Sequence, residues 1–365
     1  MTRYQQRRDR LRKLVKKAGG DSILITNFVN VSYLTGFTGD DSYLLVSKDG
    51  AVMLSDSRYS EQLEGECPGL DLVIRRSPVT MLSSIEKTVK RAKLTRMAIE
   101  GDSMTVSLQQ AIQGEISRLD LVTSSGLVEQ LREVKDKVEV EAIRAAVHIA
   151  QRAFAVIKAS LRLTETEIQV AHRLEHQIRL FGGQGCAFDP IVAVGSHAAL
   201  PHAVPTGREI GSADFVLFDW GALAGHYMSD LTRVLVTGRI SPKLERIYGV
   251  VLKAQRQAIK AIKPGATMHD VDAAARNVIA KAGYGKQFGH GLGHGFGLEI
   301  HEGVRLAANQ HRPLKAGMIV TVEPGIYITG WGGVRIEDDV LVTRNGHEVL
   351  TNVPKELDDC VITVS

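Results

Sequence analysis

"FVLFDWGALAGHYMSDLTRVLV", from Phe215 to Val236, is two β-prone runs around a short glycine-containing centre. Such runs of Val, Leu, Phe and Trp separated by a turn signal read as a hairpin. With Ala224-Gly225 as its tip, Asp219 and Asp230 are equidistant from the turn and face each other, their Cβ atoms about 4.5–5.5 Å apart. A second stretch, "MIVTVEPGIYITGWGGVRIEDDVLV" from Met318 to Val342, repeats the device. An odd-length loop centred on Gly330 sets Glu323 opposite Glu337. Like charges directly opposed destabilise a sheet, and the apolar flanks argue for burial. A divalent cation turns that repulsion into coordination. The same spacing also fits ordinary surface acids or a different register.

Between the hairpins lies "GHGLGHGFGLEIHE", Gly289 to Glu302, with glycine at every second position up to Gly297 and three histidines. Glycine costs backbone entropy and supplies no packing, so the run argues against a core strand or helix and for close approach of the backbone to another group. The G-x-G-x-x-G spacing is absent in every register, which excludes a dinucleotide phosphate loop. A metal site or a tightly held substrate remains. One imidazole with four carboxylates suits two divalent cations, whose charge the four acids balance.

The 365 residues exceed one ordinary domain, with 44% hydrophobic and 24% charged residues. A net charge of +4 is too small to imply a nucleic-acid partner. The basic stretch "RYQQRRDRLRKLVKK" (Arg3 to Lys17) has Tyr4, Leu11, Leu14 and Val15 at helical spacing and reads as a first helix with a solvated basic face. No apolar signal region or run of 18 apolar residues predicts a membrane segment. Cys67, Cys186 and Cys360 are scattered, which suits free thiols in a reducing, cytoplasmic setting.

The first third alternates short apolar runs ("SILIT", "SYLLVS", "AVMLS", "DLVIR", "RMAIE", "DLVTS") with helical patterns at Arg58–Glu66, Met81–Arg91 and Ser107–Arg118. "SKDGA" is a hairpin turn signal, and the whole reads as an α/β domain. Around Leu131 the character changes. A long amphipathic helix covers "EVEAIRAAVHIAQRAFAVIKASL", a second follows the capping signal "LTETE", and two more run over Pro242–Ile262 and His269–Ala282. Glycine-rich β segments separate these pairs, so this part reads as α+β.

These pieces resemble the pita-bread metallopeptidases, in the branch of Xaa-Pro aminopeptidases and prolidases. The matching stretches are "DWGALAGHYMSDLTR", "GHGLGHGFGLEIHE", "TVEPGIYI" and "GGVRIEDDV". At the front, "NVSYLTGFTGDDSYLLV" and "LSDSRY" look like the amino-terminal domain of bacterial Xaa-Pro aminopeptidases, so the resemblance covers nearly the whole chain. His226 departs from a pattern that usually has glycine there.

The resemblance implies an α+β two-domain protein. Residues 1–131 would form an α/β creatinase/prolidase-type domain, and residues 132–365 a pita-bread catalytic domain. Asp219 would bind one metal and His294 and Glu323 the other, with Asp230 and Glu337 bridging both. His202, His290 and His301 would surround the substrate carbonyl and leaving nitrogen, and Tyr327 and Arg335 would line or brace the site. His202, His301 and Glu323 are the implied catalytic groups. The implied metal would be manganese, with cobalt or zinc as substitutes, and the implied assembly a homodimer. The substrates would be proline-containing peptides, with no nucleic-acid or membrane partner expected. The expected reaction is removal of an amino-terminal residue preceding proline. The alternative is a prolidase restricted to Xaa-Pro dipeptides, which needs a cation for the substrate carboxylate or a loop that closes the cleft. A methionine aminopeptidase would usually lack the first domain, and non-enzymatic pita-bread proteins have typically lost ligands that stand here. His172 and His176, four apart on a helix without a third ligand, read as a solvated face.

Overall fold

The structure, a computed structural model, describes residues 2–362. Internal contacts divide the chain into two units, Met1–Arg132 and Glu133–Ser365. In the first, the six predicted strands form one mixed sheet. Its order is Asp71–Arg75, Ala51–Asp56, Tyr43–Ser47, Ser22–Ile25, Arg96–Glu100 and Asp120–Ser124. Ser47 N donates to Gly50 O at the "SKDG" turn, which closes the expected hairpin. The basic stretch is a helix, Arg3–Lys17, that buries Leu11 and Val15. A short helix at Phe28–Thr35 was not anticipated. Its ends are legible in retrospect, with Asn27 capping Val29 N and Gly36 closing in the left-handed region at φ 87°.

The second unit holds four long helices, Lys137–Ser160, Glu167–Leu180, Pro242–Ala261 and Met268–Lys281. Capping boxes at Asp136/Glu139 and Thr166/Gln169 start the first two, and Ser241 with Pro242 at the first turn starts the third. The strand Phe215–Trp220 is buried on both faces. Val216, Phe218 and Trp220 pack with the first helix pair, where Trp220 stacks on Phe154 at 4.1 Å. Phe215 and Leu217 join the core that holds the second pair. Alternation along the strand therefore carries Asp219 onto the Phe215–Leu217 side.

The first hairpin is displaced from the expected register. Asp219 pairs with Thr232, and Ala224 with Tyr227, so the tip is Gly225-His226 rather than Ala224-Gly225. Both tip residues have positive φ, 55° and 67°, as a two-residue hairpin turn of the right twist requires. Histidine tolerates this conformation better than most side chains. His226 is exposed and donates its backbone N–H to Gln184 Oε1. The slip leaves Asp219 and Asp230 diagonal rather than directly opposed, which still lets their carboxylates converge.

The second hairpin has the expected register. Gly325 pairs with Arg335 and Ile328 with Gly332 on one side of a break, and Val322 pairs with Asp338 on the other. Both ladders count to Gly330 as centre, so Glu323 and Glu337 face each other where the strands part. The glycine run departs from expectation. Gly293–Gly295 is a strand inside a five-stranded sheet, between Glu302–Leu306 and Ile319–Val322. A Cβ on Gly293 would lie 2.1 Å from Thr321 O. What the glycine approaches is the neighbouring strand, and that proximity is what glycine permits.

Candidate metal centre

Every site residue singled out from the sequence lines one cavity of about 610 Å³: Asp219, Asp230, His294, Glu323, Glu337, His202, His290, His301, Tyr327 and Arg335. Asp219, Asp230 and Glu337 each bring a carboxylate oxygen within 4.8 Å of the others'. Glu337 reaches them through an isolated bridge in which it pairs with Thr232, itself opposite Asp219. His294 Nε2 lies 3.6 Å from Asp230 Oδ2 and 3.4 Å from Glu323 Oε1, with its N–H backbone group held by Thr321 Oγ1 at 3.0 Å. Thr321 also donates its hydroxyl to Glu323 Oε1 at 3.2 Å.

Burial, followed by the charges of Glu337 and Asp219, pushes the Asp230 carboxyl well above the usual carboxylate range. Burial and then Glu323 and Asp219 do the same to Glu337. Burial raises Asp219 as well, against the pull of Arg335, and lifts Glu323 to about 7. Burial depresses His294 to about 3, with His301 adding to the effect, so its imidazole is neutral and free to ligate. A set of acids this destabilised as anions is one that added positive charge stabilises. Asp219 shows the same need locally. Arg335 Nη2 holds its Oδ2 at 2.5 Å, while its buried Oδ1 has no hydrogen-bond partner among the described residues. These donors fit divalent cations.

The remaining residues brace or line the same space. Arg335 Nε donates to Thr232 Oγ1 at 3.0 Å, and Thr232 donates onward to Glu337 Oε2 at 2.6 Å. Arg335 Nη1 donates to Tyr327 OH at 2.8 Å, and His290 Nε2 is 3.1 Å from the same hydroxyl. Burial and then Arg335 lower His290 to about 4. His301 stands edge-on to His294, ring centroids 4.4 Å apart. The segment beside it is anchored by Glu302, whose carboxylate pairs with buried Lys135 at 3.0 Å and accepts from Leu298 N. His202 comes from an exposed loop. His172 and His176 are exposed on their helix, away from the cavity lining.

Sequence reasoning missed Thr232, Asp339 and Arg305. Thr232 lies two positions after Asp230, a same-face spacing that could have pointed to it. Asp339 Oδ2 accepts from Asp230 N at 3.1 Å and carries no sequence signal separable from its neighbour Asp338. Arg305 lines the cavity as the cross-strand partner of His294, and its guanidinium has no ion-pair partner among the described residues. No described helix is long and apolar enough to cross a membrane.

Fold and site together define a metallopeptidase of the pita-bread type. The chain belongs to metallopeptidase family M24, whose model matches residues 141–344, and residues 7–134 match the creatinase/prolidase N-terminal domain. It is 40% identical over 349 residues to the uncharacterized peptidase YqhT of Bacillus subtilis, covering 96% of this chain and 98% of the relative. Among solved structures, an Xaa-Pro dipeptidase from Bacillus anthracis superposes with a TM-score of 0.95 at 41% identity, covering 98% of this chain and 100% of that one. An X-Pro aminopeptidase from Thermotoga maritima superposes with a TM-score of 0.89 at 35% identity, over the same shares of the two chains.

Proposed function

We propose that the protein hydrolyses the peptide bond preceding proline, with Xaa-Pro dipeptides as its preferred substrates. The observation that carries the chemistry is the buried convergence of Asp219, Asp230 and Glu337, with His294 and Glu323 beside them. In this reading Asp219, Asp230, His294, Glu323 and Glu337 would together hold two divalent cations. Such cations lower the pKa of water and polarise a carbonyl. Mostly oxygen donors with one imidazole suit Mn²⁺, with Co²⁺ or Zn²⁺ as substitutes.

The chain's own groups supply the rest. Glu323 accepts a proton from the water whose oxygen bonds to the carbonyl carbon, and delivers it to the proline nitrogen as the C–N bond breaks, because that nitrogen carries no N–H of its own in the peptide. Burial and then Arg305 lower the pKa of His301, so it offers a neutral imidazole N–H to the oxygen on which charge develops, with His202 as a second donor. Arg335 and Thr232 hold Asp219 and Glu337 in place.

Dipeptide preference rests on Arg305. A prolidase needs a cation for the substrate carboxylate, and Arg305 is one without an ion-pair partner among the described residues, on the same face of the sheet as His294. The Bacillus anthracis dipeptidase match points the same way. The second reading, an aminopeptidase acting on longer peptides, is favoured by the Thermotoga maritima match. Rates on Ala-Pro and Ala-Pro-Ala separate them. The dipeptide should be preferred, and Arg305→Ala should raise its KM by roughly 10–100-fold, the worth of one hydrogen bond to a charged group. Equal or faster cleavage of Ala-Pro-Ala overturns the dipeptide preference. Failure to cleave either peptide with metal bound overturns the proline specificity.

A further inference from the structure

The loop from Gly195 to Pro205 brings His202 to the cavity, and its two ends meet at one side chain. Glu167, at the start of the helix Glu167–Leu180, is fully buried. Its Oε1 accepts from Val194 N at 2.8 Å and from His197 Nδ1 at 2.9 Å. Its Oε2 accepts from Thr206 N at 2.8 Å and from Thr206 Oγ1 at 2.6 Å. An ionised carboxylate only accepts, so all four partners donate and the His197 proton sits on Nδ1. Around the same neck Glu167 N donates to Arg208 O at 3.0 Å, and Arg208 Nη1 donates to Ser196 Oγ at 3.0 Å.

Burial holds the loop at Ala198 and Ala203, both in the core, whereas Leu200 and Val204, two residues to either side of His202, are 57% and 76% exposed. On the site side Pro201 O accepts from Arg335 Nη1 at a long 3.3 Å. Between those two alanines, Ala199 to His202 contribute no buried side chain, so this stretch takes its conformation from how its flanks are tied. We propose that Glu167 is a positioning residue for His202: by gathering Val194, His197 and Thr206 on one carboxylate it sets the span of the loop and holds the imidazole in the cavity. The inference rests on the reading of His202 as a donor to the reacting carbonyl.

A double-mutant cycle between Glu167→Gln and His202→Ala in the metal-loaded protein tests it. Glutamine keeps the volume but has one acceptor oxygen, and it turns an NH₂ toward donors that need an acceptor. Glu167→Gln alone should lower kcat by roughly 10–100-fold, with KM and metal content near those of the parent. In the His202→Ala background it should cost nothing further, because the group it positions is gone. Losses that multiply, or a Glu167→Gln protein with undiminished kcat, overturn the proposal. Undiminished turnover in His202→Ala overturns the reading of His202 and the proposal with it. Should Glu167→Gln fail to fold, His197→Ala removes one donor at the rim and leaves three, and its cycle with His202→Ala should show the same non-additivity at smaller amplitude.

Discussion

His294 and His301 touch edge to edge, yet their surroundings assign them different work. His294 is buried against two carboxylates, whereas His301 is exposed on the cavity side. Replacing His294 with alanine should therefore lower metal content and activity together. His301→Ala should keep its metal and lose about 10²–10³-fold in kcat, the usual cost of one donor to developing charge. Metal analysis beside steady-state kinetics checks the pair. A metal-depleted His301→Ala, or one changed only in KM, reverses the two roles. Asp230→Asn makes the same distinction among the acids. It removes a charge from the centre of the carboxylate cluster, and both metal content and turnover should fall. Full occupancy with unchanged turnover would exclude Asp230 as a ligand.

At the scale of the element, the strand Gly293–Gly295 shows why a glycine run can stand in a sheet. Gly293 lies so close to the strand Ile319–Val322 that an added Cβ would meet Thr321 O at 2.1 Å, and the backbone cannot yield as a flexible side chain can. Gly293→Ala should destabilise the protein by about 1–3 kcal/mol, as overpacking does, and weaken metal binding by shifting His294 next to it. Gly289, in the same run, has nothing within 4 Å of its Cβ position, so Gly289→Ala should leave melting temperature and metal content unchanged. Equal effects of the two substitutions would mean that chain flexibility, rather than strand spacing, explains the run. The sequence showed the glycines but not the partner strand, because that contact lies between segments far apart in the chain. The same limit moved the first hairpin. Equidistance counting placed the tip one residue early, since nothing local to Ala224 or Gly225 reveals that His226 takes a positive φ. In the second hairpin Gly330 has a positive φ of 77°, and there the count gave the observed register.

For the whole molecule, the site's acids make stability depend on metal and pH together. Asp219, Asp230, Glu323 and Glu337 have folded pKa values raised above their unfolded ones, so without metal the folded chain binds more protons than the unfolded chain. By linkage, chelated protein gains stability as pH falls through about 7, where Glu323 protonates. His294 and His290 have the opposite sign. Their depressed values, about 3 and about 4, make the unfolded chain the better proton acceptor below the ordinary histidine value of 6.5. The four raised carboxyls outnumber these histidines, so chelated protein should go on gaining melting temperature below neutrality until the unfolded carboxyls protonate at about pH 4, and divalent metal should raise melting temperature most at neutral pH and above. A chelated protein whose melting temperature falls steadily from pH 8 downward would show that the acids are not crowded in the absence of metal. Activity should decline with acidification as protons displace metal, with metal content falling in parallel.

What the sequence determined by itself is whatever local periodicity and ordered spacing encode. The six strands of the first unit, the four long helices of the second and the centre at Gly330 were legible there, because side-chain alternation and capping act over a few residues, and the residues that meet in the cavity were named through the family resemblance of their motifs. Only the tertiary structure decided the first hairpin's slip to Gly225-His226, the strand made from glycines, and the supporting contacts from Thr232, Asp339, Arg305 and Glu167. Each of these depends on which segments become neighbours after folding. A threonine, an arginine or a buried glutamate carries no mark of its future partner until packing places the two side by side.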